Sequence, residues 1–155
     1  MPPFHPQPCP ICRDGGPQGA FAELEVSTVV LPDPAPLRGY AVLFLRRHAV
    51  ELYELSDDEA NAFMRDLRRL ARAVQQATGA PKLNYEIHGN TIAHLHLHLF
   101  PRYPDDPFVG RPIHPRETTA YPPAEYARLR RAIAAALGHD RAPRPSPLAP
   151  LFCPP

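Results

Sequence analysis

Apolar and polar residues alternate most regularly in residues 94–100, which read His-Leu-His-Leu-His-Leu-Phe. Because successive side chains of a β-strand point to opposite faces of its sheet, this alternation predicts a strand. The three histidines, His94, His96 and His98, would form a row on one face. The leucines between them would enter a core on the other face. The pattern therefore predicts a sheet with one histidine-lined face.

Three further segments predict strands. Residues 21–31 mix alternation with β-branched residues, and residues 82–87 alternate again. Residues 40–45 are apolar on both faces, as is typical of a strand in the middle of a sheet. Residues 88–91 read His-Gly-Asn-Thr and predict a tight turn. The strands on either side of this turn would then form an antiparallel hairpin, with the turn at one end of the histidine row.

A long helix is predicted after the second strand. Ser56 and Glu59 have the spacing of an N-terminal capping box. Gly79 would end the helix, and Pro81 prevents it from continuing. Apolar residues at helical spacing predict its buried face: Ala60, Phe63, Met64, Leu67, Leu70, Ala71 and Val74.

The remaining segments predict one more helix and two irregular regions. The helix would cover residues 123–137 and end at Gly138. Residues 101–121 are rich in proline and predict a long loop, of the kind that usually has a function or is covered by a partner chain. Residues 141–155 predict a weakly ordered tail.

These elements predict an α+β domain with a mostly antiparallel sheet of about five strands and two helices. The chain of 155 residues is long enough for one domain, which we place at residues 1–140, with the tail after it. Its formal charge of +1 gives no strong attraction to nucleic acid or to a membrane. No apolar run has transmembrane length, and the N-terminus lacks the features of a signal peptide. A cytoplasmic protein with neither nucleic-acid nor membrane partners is expected.

Cys9 and Cys12 form a C-x-x-C motif, with two residues between them, and can bind one zinc ion. Alone they supply half of a four-ligand site, and two free thiols are the alternative. A redox pair fits less well, because proline and glycine flank the motif where a thioredoxin-like motif would follow a strand and open a helix. The third cysteine, Cys153, lies in the predicted tail.

The histidine row is compatible with two chemistries. In one, the imidazoles bind a catalytic metal ion. In the other, one imidazole attacks phosphorus while a neighbouring imidazole and the turn amides stabilise the developing charge. The turn beside the row suits an anion, and no acidic residue occurs in residues 87–100. Both features favour phosphorus chemistry.

The chain resembles the histidine triad (HIT) family. Residues 94–100 match the family motif, in which three histidines alternate with apolar residues. Further resemblance to bacterial members covers residues 82–92, residues 101–103 and residues 47–56, so that the similarity spans residues 9–115. Family members are nucleotide hydrolases or transferases that cleave at the α-phosphate through a nucleotidyl-imidazole intermediate.

The resemblance assigns expected roles to the triad. His96 would be the nucleophile, and His98 would donate a hydrogen bond to the α-phosphate. His94 would orient the neighbouring imidazole or bind a metal ion. The other histidines, at positions 5, 88, 114 and 139, are interpreted as surface or loop residues, with His88 set apart by its position next to the anion-suited turn.

The resemblance also implies which residues bind the substrate. Asn84, Asn90 and Thr91 match positions that hold phosphate in the family. Asp33 falls near the acidic residue that contacts ribose. These four assignments are what the resemblance implies.

A structural zinc site is implied as well. Some bacterial members bind zinc through C-x-x-C, a histidine after the second strand and the first triad histidine. The matching residues are Cys9, Cys12, His48 and His94. This set would fasten the N-terminal arm to the sheet.

The activity implied is that of a nucleotide hydrolase or nucleotidyl transferase. It would cleave a nucleoside phosphoramidate or a dinucleoside polyphosphate at the α-phosphate, with no catalytic cofactor. The first alternative is a non-catalytic nucleotide-binding or sensing module, and the second is a metalloenzyme that uses the histidine row as catalytic ligands. Family members usually form homodimers through the first long helix and the sheet edge, and a homodimer is expected here.

Overall fold

The structure, a computed structural model, describes residues 8–114 and 116–139. The predicted tail of residues 141–155, including Cys153, lies outside the described residues. The strands are β1 (Ala20–Glu23), β2 (Ser27–Val30), β3 (Ala41–Leu45), β4 (Lys82–Ile87) and β5 (His96–Arg102). The helices are α1 (Pro10–Arg13), α2 (Asp57–Thr78) and α3 (Pro123–His139), with a single 3-10 turn at Leu52–Glu54.

The five strands form one antiparallel sheet in the order β1-β2-β3-β5-β4. The prediction of an α+β fold with a mostly antiparallel sheet is confirmed. So is the central position of β3, which lies between β2 and β5 and is buried along most of its length. The histidine strand pairs with β3 on one side and with β4 on the other, and this places Glu86 opposite His98.

The prediction of one strand over residues 21–31 is wrong, because this segment contains β1 and β2 as a hairpin. The turn between them has no glycine or asparagine to mark it. Instead, the fully buried carboxylate of Asp66, on α2, accepts hydrogen bonds from the amides of Glu25 and Val26 at 3.1 and 2.9 Å. The residue that stabilises this turn therefore comes from a distant helix.

The long helix begins and ends as predicted. The Ser56 hydroxyl accepts a hydrogen bond from the amide of Glu59, and Gly79 at the other end has a left-handed φ of 70°. The Glu59 carboxylate forms a bidentate ion pair with Arg47. Met64, predicted on the buried stripe, is 52% exposed because it lies at the edge of the face that contacts the sheet.

The connection between β4 and β5 is longer than the predicted tight turn. β4 ends at Ile87 and β5 begins at His96, so eight residues join them. The end of this connection is hydrogen-bonded to the end of β3 and to the segment that follows it. The amide of Leu95 donates to the carbonyl of Ala49, and its carbonyl accepts from the amide of Leu45.

The two faces of the sheet have different neighbours. The helices cover one face, where Leu97 and Leu99 are buried as predicted, and each such leucine contributes about 1.5–3 kcal/mol. On the opposite face, β5 presents His96, His98 and Phe100. The main core is built by the apolar residues of β2, β3, β5, α2 and α3, among them Val29, Leu43, Leu45, Leu70, Leu129 and Ile133.

The proline-rich loop folds back over the histidine face. Arg102 forms a bidentate ion pair with Asp106 and also donates to the carbonyl of Phe108. The Arg102 guanidinium lowers the pKa of Asp106 to about 2. Phe108 is fully buried and packs with Ile113 and Phe100 in a second apolar cluster. This part of the loop is therefore fixed to the sheet by both charge and apolar contact.

The remaining differences from prediction are small. The last helix runs through Gly138 to His139, two residues beyond its predicted end. The C-x-x-C segment forms a single helical turn that sequence did not predict. Within the described ranges, no helix combines the length and apolar character that crossing a membrane requires.

Candidate functional site

His94 does not continue the histidine row. It lies in a bend two residues before β5 and is 1% exposed. Its Nε2–H donates a hydrogen bond to the carbonyl of Leu45 at 2.6 Å. This bond leaves Nδ1 as the unprotonated nitrogen, and burial lowers the pKa of the imidazole. The prediction of three histidines in one strand is therefore wrong, because the first histidine turns toward the N-terminal arm.

Nδ1 of His94 faces the two cysteines of the arm. It lies 3.5 Å from Sγ of Cys9 and 3.6 Å from Sγ of Cys12, and Nδ1 of His48 lies 3.5 Å from Sγ of Cys12. The four ligand atoms lie within 4.8 Å of one another. The structure thus brings together all four residues of the expected metal set.

These distances fit a tetrahedral zinc ion. Zinc bonds of about 2.3 Å to sulfur and about 2.0 Å to nitrogen place a sulfur and a nitrogen ligand about 3.5 Å apart. The three sulfur–nitrogen distances match this edge within 0.1 Å. The hydrogen bond from His94 to a backbone carbonyl is the kind of contact that orients a metal-binding imidazole. The donor set and its spacing therefore suit a closed structural site.

His96 is held by the backbone of its own segment. Its Nδ1–H donates to the carbonyl of His94 at 2.5 Å, and its ring stacks on Phe44 with the centroids 5.2 Å apart. The bond at Nδ1 leaves Nε2 unprotonated. Burial lowers the pKa of His96, so that the imidazole is neutral near pH 7. Such a nitrogen can act as a nucleophile.

His98 is assigned the opposite tautomer. The hydroxyl of Tyr40 lies 2.6 Å from its Nδ1, and burial raises the pKa of Tyr40 well above its ordinary value. The hydroxyl therefore stays protonated, and we assign it as the donor to Nδ1, which leaves the proton of His98 on Nε2. Burial, with smaller contributions from His96 and His88, lowers the pKa of His98 to about 4. A neutral donor thus lies beside a neutral nucleophile, with the two ring centroids 4.9 Å apart.

Both imidazoles open into a cavity of about 510 Å³. Asn90 and Thr91 line it, as a phosphate-binding role would require. Asn84 is half-buried on the histidine face of β4, opposite Phe100, and is outside the lining residues. The full lining is Glu86, His88, Gly89, Asn90, Thr91, Ile92, His96, His98, Phe100, Pro112 and Ile113.

Asp33 also lies outside the residues that line this cavity. Its carboxylate accepts a hydrogen bond from the amide of Tyr121 at 3.0 Å. The structure therefore brings Asn90 and Thr91 together with the histidines, and it places Asp33 in a separate contact with the last loop.

Three residues of the site were not predicted from sequence. Tyr40 looked like an ordinary strand residue, because its contact with His98 depends on the pairing of β3 with β5, 58 residues apart. Glu86 had no assigned role, and His88 was interpreted as a loop residue. The alternation of β4 could have indicated that Glu86 shares the histidine face.

Comparisons with known proteins agree on the family to which the chain is related. A family model described as HIT domain matches residues 16–105, which is more than half of the chain. Among known proteins, the adenosine 5'-monophosphoramidase of Schizosaccharomyces pombe is 28% identical over 115 residues, covering 69% of this chain and 83% of that protein.

Two crystal structures show the same fold. A histidine triad protein from Bradyrhizobium japonicum superposes with a TM-score of 0.71 and 26% identity, over 76% of this chain and 89% of that one. A Zn-bound histidine triad family protein from Mycobacterium smegmatis superposes with a TM-score of 0.62 and 23% identity, over 85% of this chain and 94% of that one. The motif, the fold and the family model agree, and the chain belongs to the histidine triad (HIT) family.

Proposed function

We propose that the protein is a nucleotide hydrolase or nucleotidyl transferase that cleaves nucleoside phosphoramidates or dinucleoside polyphosphates at the α-phosphate. The observation that carries this proposal is the pair of hydrogen bonds at Nδ1, from His96 to the carbonyl of His94 and between His98 and the Tyr40 hydroxyl, which leave the Nε2 atoms of both cavity-lining imidazoles for the substrate. Membership of the HIT family supports it, as does the similarity to a yeast protein named a monophosphoramidase.

The proposed reaction has two steps. In the first, Nε2 of His96 attacks the α-phosphorus, and the bond to the leaving group breaks with its electron pair. The carbonyl of His94, which accepts from Nδ1–H, stabilises the imidazolium that forms. Nε2–H of His98 donates to a phosphate oxygen as charge develops there. In the second step, water or another acceptor attacks phosphorus, and the phosphorus–nitrogen bond to His96 breaks.

Substrate contacts are proposed for four residues. Asn90 and Thr91, which line the cavity, would hold the phosphate with their side chains and amides. Asn84 and Asp33 keep the phosphate and ribose roles that family resemblance predicts. A substrate would have to extend beyond the lining residues to reach these last two.

A structural zinc ion is proposed at the four-ligand cluster. Cys9, Cys12, His48 and His94 would hold it, and it would fasten the N-terminal arm to the segments before β5 and after β3. Because the Nδ1 of His94 faces this cluster, while His96 and His98 face the cavity, the metal is assigned a structural role and no catalytic step.

We also infer that the chain forms a homodimer. β4 is an edge strand, and its Tyr85 and Ile87 are 50% and 42% exposed. Met64 on α2 is exposed as well. Large apolar side chains on an unpaired edge suit contact with a second copy. Light scattering of the purified protein measures the mass directly, and a monomer at micromolar concentration would contradict the inference.

A cytoplasmic location and the absence of nucleic-acid partners stay predictions.

The test of the function is the His96→Ala variant. Turnover of an adenosine phosphoramidate should be abolished, while the variant still folds and still binds AMP, because the substitution removes the nucleophile and leaves the cavity wall. Steady-state kinetics and calorimetric titration with AMP measure the two properties. Full activity of the variant would refute the mechanism, and binding by the wild type without turnover of any substrate would favour a binding module.

A further inference from the structure

A carboxylate and an imidazole form a pair on the wall of the cavity. Nε2 of His88 lies 3.0 Å from Oε2 of Glu86, and both residues are among those that line the space in front of the triad. The ring of His88 is 5.5 Å from that of His98, centroid to centroid. His88 is about half exposed, so it can exchange protons with solvent. The proposed reaction has not used either residue.

The proposed reaction also lacks a group that moves protons. An amine or alkoxide leaving group must gain a proton as its bond to phosphorus breaks, and the attacking water must lose one. The Nδ1–H of His96 is bound to a backbone carbonyl. Nδ1 of His98 is occupied by Tyr40, and loss of its Nε2–H would leave an imidazolate anion. Neither triad imidazole is therefore arranged to give up a proton to the leaving group.

His88 is arranged for this task. Its Nε2–H donates to the Glu86 carboxylate, which orients the ring and stabilises the imidazolium, as the aspartate does in a serine protease triad. Nδ1 is then the nitrogen that exchanges the proton. Glu86 reaches this position because it is two residues earlier in the chain, on the histidine face of β4 opposite His98.

We propose that His88, oriented by Glu86, is the general acid and base of the reaction; this rests on the function proposed above. In the first step, the His88 imidazolium gives its Nδ1 proton to the leaving group as the bond from phosphorus to that group breaks. In the second step, the neutral His88 takes a proton from the attacking water, whose oxygen bonds to phosphorus while the bond to His96 breaks. Both histidines return to their initial states.

The test compares two leaving groups in the His88→Gln variant. In the AMP amide of a primary alkylamine, the leaving amine must gain a proton. In the AMP ester of para-nitrophenol, the leaving group departs as a stable para-nitrophenolate anion without a proton. Loss of a general acid should lower kcat/KM for the amide by about 100-fold or more and leave the ester nearly unchanged. Glu86→Gln, which affects a positioning residue, should show the same selectivity for the amide with a smaller loss.

His114→Gln is the matched control, because it makes the same substitution at an exposed histidine outside the lining residues. It should react with both substrates as the wild type does. Equal losses on both substrates in His88→Gln would overturn the proposal and indicate a binding or structural role, and no loss on either would overturn it as well. Failure of the wild type to cleave either substrate would refute the proposed function itself, which separates the two outcomes.

Discussion

Removal of the Tyr40 hydroxyl tests the tautomer on which the proposed role of His98 depends. In Tyr40→Phe, the ring can still stack on Phe100, where the centroids are 4.6 Å apart, so the packing is preserved. What is lost is the donor that lies 2.6 Å from Nδ1 of His98. Nδ1 then becomes a half-buried acceptor without a donor, and no partner fixes the proton of His98 on Nε2.

The size of the effect on activity follows from the free-energy cost of leaving Nδ1 of His98 without a hydrogen-bond donor. A buried polar atom that loses its partner costs about 1–3 kcal/mol, and about 1.4 kcal/mol corresponds to a tenfold change. The preference for the tautomer with the proton on Nε2 should therefore fall by up to that amount, and kcat/KM should fall by up to about 150-fold. Thermal stability should change little by comparison, because the aromatic contacts remain.

Two measurements check this prediction. Long-range nitrogen–proton NMR of the imidazoles should show that the proton of His98 is no longer confined to Nε2, and steady-state kinetics should show the loss of activity. Tyr126→Phe is the control, since that hydroxyl donates to the carbonyl of Leu31, away from the cavity. An unchanged tautomer together with wild-type activity in Tyr40→Phe would refute the reasoning.

Two further predictions concern pH and metal content. Because burial lowers the pKa of His98 from 6.5 to about 4, the unfolded chain binds a proton there at pH values where the folded protein does not. The stability contributed by neutral His98 is present above about pH 6.5 and is lost as the pH falls toward 4, by up to about 3 kcal/mol. Urea unfolding at neutral and acidic pH should show a larger loss in the wild type than in His98→Asn, and equal losses would contradict this. Cys9→Ser should lower zinc affinity at least about 100-fold, whereas Cys153→Ser should not. Mass spectrometry of the bound metal measures this, and equal zinc content in both variants would exclude the cluster as the zinc site.

The sequence predicted those parts of the fold that depend on local pattern. The alternation around His96 and His98 predicted β5, and the cap at Ser56 with the stop at Gly79 predicted α2 to within one residue. The C-x-x-C spacing and the family resemblance together predicted the four ligands that the structure brings within 4.8 Å of one another. In β5 and α2 the residues that decide the conformation are the ones that adopt it, whereas the metal ligands come from distant segments and were predicted through the resemblance.

The sequence-based predictions were wrong or incomplete where a residue distant in sequence decides the local conformation. The hairpin of β1 and β2 depends on the Asp66 carboxylate of α2, and no turn signal marks it in the sequence. His94 leaves the strand because it bonds to Leu45, which is 49 residues earlier. Tyr40 reaches His98 only through the register of β3 with β5. Such contacts come from tertiary packing, and hydrophobic periodicity contains no information about them.

The central claim is that His96 forms a covalent bond to the nucleotide, and mass spectrometry of the intact protein tests it most directly. The protein is mixed with a panel of adenosine and guanosine phosphoramidates and dinucleoside polyphosphates and is quenched without acid. We predict a mass gain of one nucleotidyl group in the wild type and none in His96→Ala. An identical gain in His96→Ala, or product from the wild type without an adduct under conditions where the second step is slow, would contradict the claim.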